Sequence, residues 1–218
     1  MSGARTTYMR AEIAEQPEAL RATIGALLPR TDEAAALARG TRQVLLIARG
    51  TSDNAAVYGS YLIQAHAGRL ATLAAPSIAT TYRSRVDLSG MLAVALSQSG
   101  RTEEIVQTLA WARDCGARAL AITNGAGSPL TQAAEVAFVT QAGIEHAVPA
   151  TKTFTTQLAA LAAPPPEFVQ LLEALQFNPQ QRSRFFGVLA HAVAVQDFFS
   201  PENVQAIMAG SHQSATAS

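Results

Sequence analysis

The eight residues Ala95-Leu-Ser-Gln-Ser-Gly-Arg-Thr102 constrain this chain more than any other stretch. Met91 to Leu96 is an unbroken apolar run, the pattern of a strand buried on both faces of a parallel sheet, and Glu103 to Cys115 continues at helical spacing. A buried strand that turns directly into a helix is one half of a βαβ unit, so an α/β fold follows. The turn carries Ser97, Gln98, Ser99 and Thr102, where the unpaired N–H groups of the first helical turn point. Those donors and the positive end of the helix dipole favour an anion, and hydroxyls add donors without the desolvation cost of a buried ammonium. Gly100 lets the backbone bend and come close to a ligand. This is the chemistry of phosphate capture by a neutral loop.

Ala48-Arg-Gly-Thr-Ser-Asp-Asn-Ala-Ala56 repeats the design: a buried strand, Gly50, then the hydroxyls of Thr51 and Ser52 opening a helix. Either turn alone is also what an ordinary serine or threonine helix cap looks like, but two on adjacent strands would face one crevice. The glycines form neither a dinucleotide fingerprint nor a Walker A loop, because Gly50 lacks its following partners and no Gly-Lys-Ser/Thr occurs. Strands are expected at Gln43 to Ala48, Leu70 to Ala74, Met91 to Leu96, Arg118 to Ile122 and Val136 to Val139. Helices are expected from about Asp53 to His66, after Thr102, and from Thr151 to Leu161, with Ile105, Leu109 and Trp111 as core positions. The alternation predicts a doubly wound, five-stranded parallel sheet flanked by helices, of the flavodoxin-like kind, with ligands beyond the carboxyl ends of the strands.

Residues 1–40 read as an N-terminal helical segment, residues 41–163 as the sheet domain and residues 164–218 as a divergent helical tail. The first contains an amphipathic helix over 8–28, with Met9, Ile13, Leu20, Ile24 and Leu27 on one face and Pro17 kinking or splitting it. Such a helix caps the domain or pairs with a second subunit. Pro164-Pro165-Pro166 opens the tail, and its last eight residues, Ser211 to Ser218, read as disordered. Sixteen acids against sixteen bases give no electrostatic footprint for nucleic acid. Cys115 is the only cysteine, and no apolar segment reaches membrane-spanning length, so a cytoplasmic protein without a membrane partner is expected.

The separated motifs resemble the sugar isomerase, or SIS, domain family. Within it they resemble the isomerase half of glucosamine-fructose-6-phosphate aminotransferase and the related amino-sugar-phosphate deaminases and isomerases. The pieces that match are Gly50-Thr51-Ser52 with Ala55-Ala56, Ser97-Gln98-Ser99-Gly100 with Thr102, Thr123-Asn124 with Ser128-Pro129-Leu130, Ala142-Gly143-Ile144-Glu145 through Val148, and Thr151-Lys152-Thr153-Phe154-Thr155-Thr156-Gln157-Leu158. They occur in the family's order. By this resemblance Ser97, Gln98, Ser99 and Thr102 hold the phosphate of a hexose 6-phosphate. Gly50, Thr51 and Ser52 meet the phosphate and sugar hydroxyls, while Val148 and Ala150 line the sugar through backbone groups. Ala150 stands where the aminotransferase has a serine, and Arg101 where it has an acid.

The resemblance implies fructose 6-phosphate or glucosamine 6-phosphate as ligand, aldose–ketose isomerisation or amino-sugar deamination or transamination as chemistry, a homodimer, and neither metal nor cofactor. Family enzymes normally carry two SIS domains, of which the second supplies the glutamate base and a ring-opening histidine, although single-domain enzymes exist in the family. Residues 164–218 show no second serine-rich turn. Catalytic residues therefore stay open, with Glu145 and Lys152 as the nearest candidates, His146 as a loop residue, and a loop-ordering role as the other reading of Glu145. Lys152 opens a helix, where a cation opposes the dipole, and is expected to reach a neighbouring carboxylate. An enzyme, a non-catalytic sugar-phosphate module and the first half of a tandem enzyme are the alternatives.

Overall fold

The computed structural model describes residues 7–148 and 150–162; the tail expected over 164–218 lies outside them. In chain order come α1 (Tyr8–Leu27), a short 3-10 turn, α2 (Thr31–Ala38), β1 (Gln43–Ile47), α3 (Thr51–Ala67), β2 (Leu70–Leu73) and α4 (Pro76–Thr80). There follow β3 (Met91–Ser97), α5 (Glu103–Asp114), β4 (Arg118–Thr123), α6 (Pro129–Ala133), β5 (Val136–Val139) and α7 (Lys152–Ala162). All pairings are parallel, in the order β2-β1-β3-β4-β5. The five expected strands are those observed, each within one residue of its expected ends. The chain runs from β1 outward to β2 and then returns to β3 on the other side of β1, where Ile47 pairs with Ala95. Connections leave this pair in opposite directions, which opens a crevice at the carboxyl ends of β1 and β3.

Side chains alternate across the sheet with the period of a strand, and the two faces are built differently. One face presents Val44, Leu46, Leu92, Val94, Leu96, Leu120 and Ile122, packed with Leu27, Leu37, Ala55, Ala56 and Ala160 from α1, α2, α3 and α7. The other presents Ala93, Ala95, Ala119 and Ala121 beside Leu45 and Ile47, against Ile105, Leu109 and Ala112 of α5. On that face short side chains let α5 lie close, and its apolar stripe Ile105, Leu109, Ala112 follows helical spacing. Trp111, expected in the core, is partly buried there and donates its Nε1–H to the Ser84 carbonyl at 2.7 Å. Leu27 and Leu37 place the N-terminal helices in the same core as the sheet.

Two details of the N-terminal segment depart from expectation. Of the two effects expected of Pro17, splitting does not occur: helix α1 continues to Leu27, with side chains on both sides of the proline anchored to the same body. Its buried face is Glu12, Ala19, Leu20, Thr23 and Leu27, with Ile13 39% exposed, so a carboxylate and a hydroxyl replace part of the apolar stripe. No described helix is long and apolar enough to cross a membrane.

Candidate functional site

Ser97 ends β3 and is 5% exposed, and Gly100 takes φ +63°, so the chain reverses sharply before α5. Each serine ties the bend to itself: Ser97 Oγ accepts the Gly100 N–H and Ser99 Oγ accepts the Arg101 N–H, both at 3.2 Å. Ser97 Oγ also lies 3.4 Å from Thr102 Oγ1. Behind the bend, the Asn124 N–H and the Thr123 hydroxyl donate to the Gln98 carbonyl, and the Leu130 N–H to the Gly100 carbonyl. A Cβ at Gly100 would stand 2.1 Å from Ser128 Oγ, and one at Gly125 would stand 2.3 Å from the Ser99 carbonyl oxygen. Only glycine fits at either place. The turn after β4 thus acts as a mould for the turn after β3.

Gly50, at φ +60°, precedes α3 in the same way, and neither α3 nor α5 has a side chain capping its first turn. The free N–H groups of both helices and their dipoles converge on the crevice. Here lies a cavity of about 280 Å³. Thr51, Ser52, Ser97, Gln98, Ser99 and Thr102 line it, together with Val148 and Ala150. Of the residues expected to bind ligand, Gly50 is the one that shapes the turn without lining the cavity.

Further lining residues went unassigned on sequence grounds. Phe154 and Gln157 come from α7, and Gln157 is 2% exposed with its Oε1 finding no partner among the described residues. Their spacing of three places both on one side of the helix, which is the signal that was available. Arg49 is the only charged residue on the lining among the described residues; its guanidinium meets the Glu104 carboxylate at 2.8 and 3.0 Å, which raises its pKa. Among the described residues, no group of three or more His, Cys, Asp or Glu stands ready to hold a metal ion.

Glu145 and Lys152 are placed outside the lining. Glu145 Oε1 accepts the Lys152 N–H at 2.9 Å and the Thr151 hydroxyl at 2.9 Å, while Oε2 accepts the Thr153 N–H at 3.1 Å. It thereby satisfies the orphan donors at the start of α7. Burial pushes its pKa up, yet the hydrogen bonds from Thr153 and Thr151 outweigh that and hold it below the ordinary 4.5. Lys152 turns away into a side-chain burial of 4% exposure and pairs with Glu15 of α1. Asn124 braces the segment before Glu145, donating to the Gly143 carbonyl at 2.7 Å and accepting the Ala142 N–H at 2.9 Å.

The SIS domain pattern matches residues 38–163. A glutamine–fructose-6-phosphate aminotransferase (isomerizing) of Pyrobaculum aerophilum is 37% identical over 180 residues, covering 81% of this chain and 29% of that protein. The Thermus thermophilus protein of the same name is 39% identical over 160 residues, covering 71% and 26%. The solved C-terminal domain of glucosamine-fructose-6-phosphate aminotransferase from Francisella tularensis superposes with a TM-score of 0.72 at 33% identity, over 88% of this chain and 55% of that one. The chain spans less than a third of the length of the two curated relatives. With the pattern covering more than half of its residues and the sheet, crevice and hydroxyl-bearing turns in place, the chain belongs to the SIS domain family.

Proposed function

We propose that the cavity binds a phosphorylated hexose or amino-hexose, such as fructose 6-phosphate or glucosamine 6-phosphate. The observation that carries this reading is the convergence of five hydroxyls from the turns after β1 and β3 and of two uncapped helix starts on one cavity, with Arg49 as the one cation among the described lining residues. A dianion there meets fixed neutral donors, and the rest of the cavity is open to a sugar. The names of the relatives, a fructose-6-phosphate aminotransferase among them, agree with this ligand class. A thermal-shift screen of hexose and amino-hexose phosphates, followed by calorimetric titration of each hit, tests it. Unphosphorylated sugars binding as well as phosphorylated ones would reject it.

The chemistry is aldose–ketose isomerisation or amino-sugar deamination or transamination, carried out by a cytoplasmic homodimer in which a second subunit or a further domain brings the base. Keto–aldose conversion moves a proton between C1 and C2 and needs a base within hydrogen-bond reach of that C–H. A second reading, a sugar-phosphate-binding module without turnover, is favoured by the described lining, which holds no carboxylate and no imidazole. Exchange of solvent deuterium into C1 of fructose 6-phosphate separates the two: incorporation selects the enzyme, and tight binding without incorporation selects the module.

A further inference from the structure

Three side chains of α1 reach the segment that follows β5. Thr23 Oγ1 accepts the Gln141 N–H at 2.9 Å, Glu12 accepts the His146 N–H at 2.5 Å and the Ala147 N–H at 3.0 Å, and Glu15 pairs with Lys152. Glu12 is the residue whose burial demands an explanation, since it is 3% exposed on a helix face it shares with Ala19, Leu20 and Leu27. A carboxylate removed from water is retained only where donors replace its hydration. Here the donors are two successive backbone N–H groups, so the side chain fixes the path of a loop as a neighbouring strand would. The Tyr8 ring, 5.3 Å from that of His146, adds a second contact from the same helix.

Ala147 and Val148 line the cavity, with Val148 standing at its rim, 94% exposed. Neither side chain has a polar atom, so what they offer a ligand is shape and backbone. That contribution depends entirely on where the loop is held. The anion end of the cavity is built separately, from the turns after β1 and β3, and α1 makes none of the hydrogen bonds that hold the Ser97–Thr102 bend. We infer that Glu12 is a positioning residue for the cavity wall at Ala147 and Val148, setting how well the carbohydrate part of a ligand is held while leaving anion capture untouched. The inference rests on the sugar-phosphate reading and adds to it a residue that never touches the ligand.

Glucosamine 6-phosphate and inorganic phosphate, titrated separately into the full chain and into Glu12→Gln, test this. Glutamine keeps the size but puts an N–H₂ group where one of two acceptors stood. Affinity for the sugar phosphate is expected to fall about fivefold or more while that for inorganic phosphate, followed by amide NMR shifts of Ser97 to Thr102, stays within about twofold. Hydrogen exchange at the His146 and Ala147 amides is expected to accelerate. Parallel loss on both ligands, or no loss on either, overturns the assignment. Should Glu12→Gln not fold, Glu12→Asp keeps the charge but withdraws it by one methylene, and the same comparison decides. If the wild-type chain takes inorganic phosphate but no hexose phosphate, the sugar reading fails by itself. Unchanged exchange at His146 and Ala147 in the variant would then still reject the positioning role.

Discussion

Ser97 and Ser99 each accept a backbone N–H, from Gly100 and Arg101 respectively, so each oxygen still has its own hydroxyl hydrogen to donate, that of Ser97 either to Thr102 Oγ1 at 3.4 Å or to a ligand. Bend and ligand are thus served by the same oxygen. Ser97→Ala combined with Ser99→Ala is expected to weaken hexose-phosphate binding at least tenfold, about 1.4 kcal/mol, in a calorimetric titration. Unchanged affinity would move the anion site elsewhere. Arg49 adds a cation that the neutral reading of these turns did not include, because an arginine ahead of a glycine turn carries no signal of where its side chain goes. Its pairing with Glu104 sets up a competition between carboxylate and ligand. Glu104→Gln should therefore tighten phosphate binding, and Arg49→Gln should weaken it, each by about two- to fivefold at low salt. Shifts of the same sign in both variants would show that the pair acts only as a strap.

At the scale of elements, the strands were legible because continuous apolar runs between glycine- and serine-rich turns have few other readings. Helix α1 was only partly so. Its periodicity predicted burial of Ile13, whereas the structure buries Glu12, since the surface it meets is a loop more than a hundred residues away with free N–H groups. No local pattern encodes such a partner. Glu145 illustrates the same point from the other end, because the N–H groups it accepts from belong to the start of α7 and come within reach only when that helix folds around it. A carboxylate with a lowered folded pKa stabilises the chain above its unfolded pKa and loses that contribution as pH falls through the folded value. Stability is therefore expected to decline on acidification below 4.5, and Glu145→Gln should flatten that decline in urea midpoints measured across the acid range. An equally steep acid limb in the variant would assign the sensitivity to other groups. The same substitution should cost about 1 kcal/mol near neutrality through the lost cap.

Across the whole molecule, protection is unevenly spread. Every residue of β3 from Leu92 to Ser97 is buried, while β2 at the sheet edge leaves Leu70 66% and Leu73 40% exposed. Edge strands pair on one side only, so local opening is cheapest there. Hydrogen exchange read by mass spectrometry is expected to be slowest over β3 and β4 and fastest, among the strands, over β2. Equal protection of β2 and β3 would mean that something covers the edge in solution.

The four alanines beneath α5 leave no spare depth between sheet and helix. Enlarging any of them to valine or leucine would lift the helix bodily and carry the anchoring bend off its mould. Under the proposed sugar-phosphate reading, drift toward new carbohydrates would be channelled to the far wall, where Val148 is exposed and can change in size without touching the bend after β3.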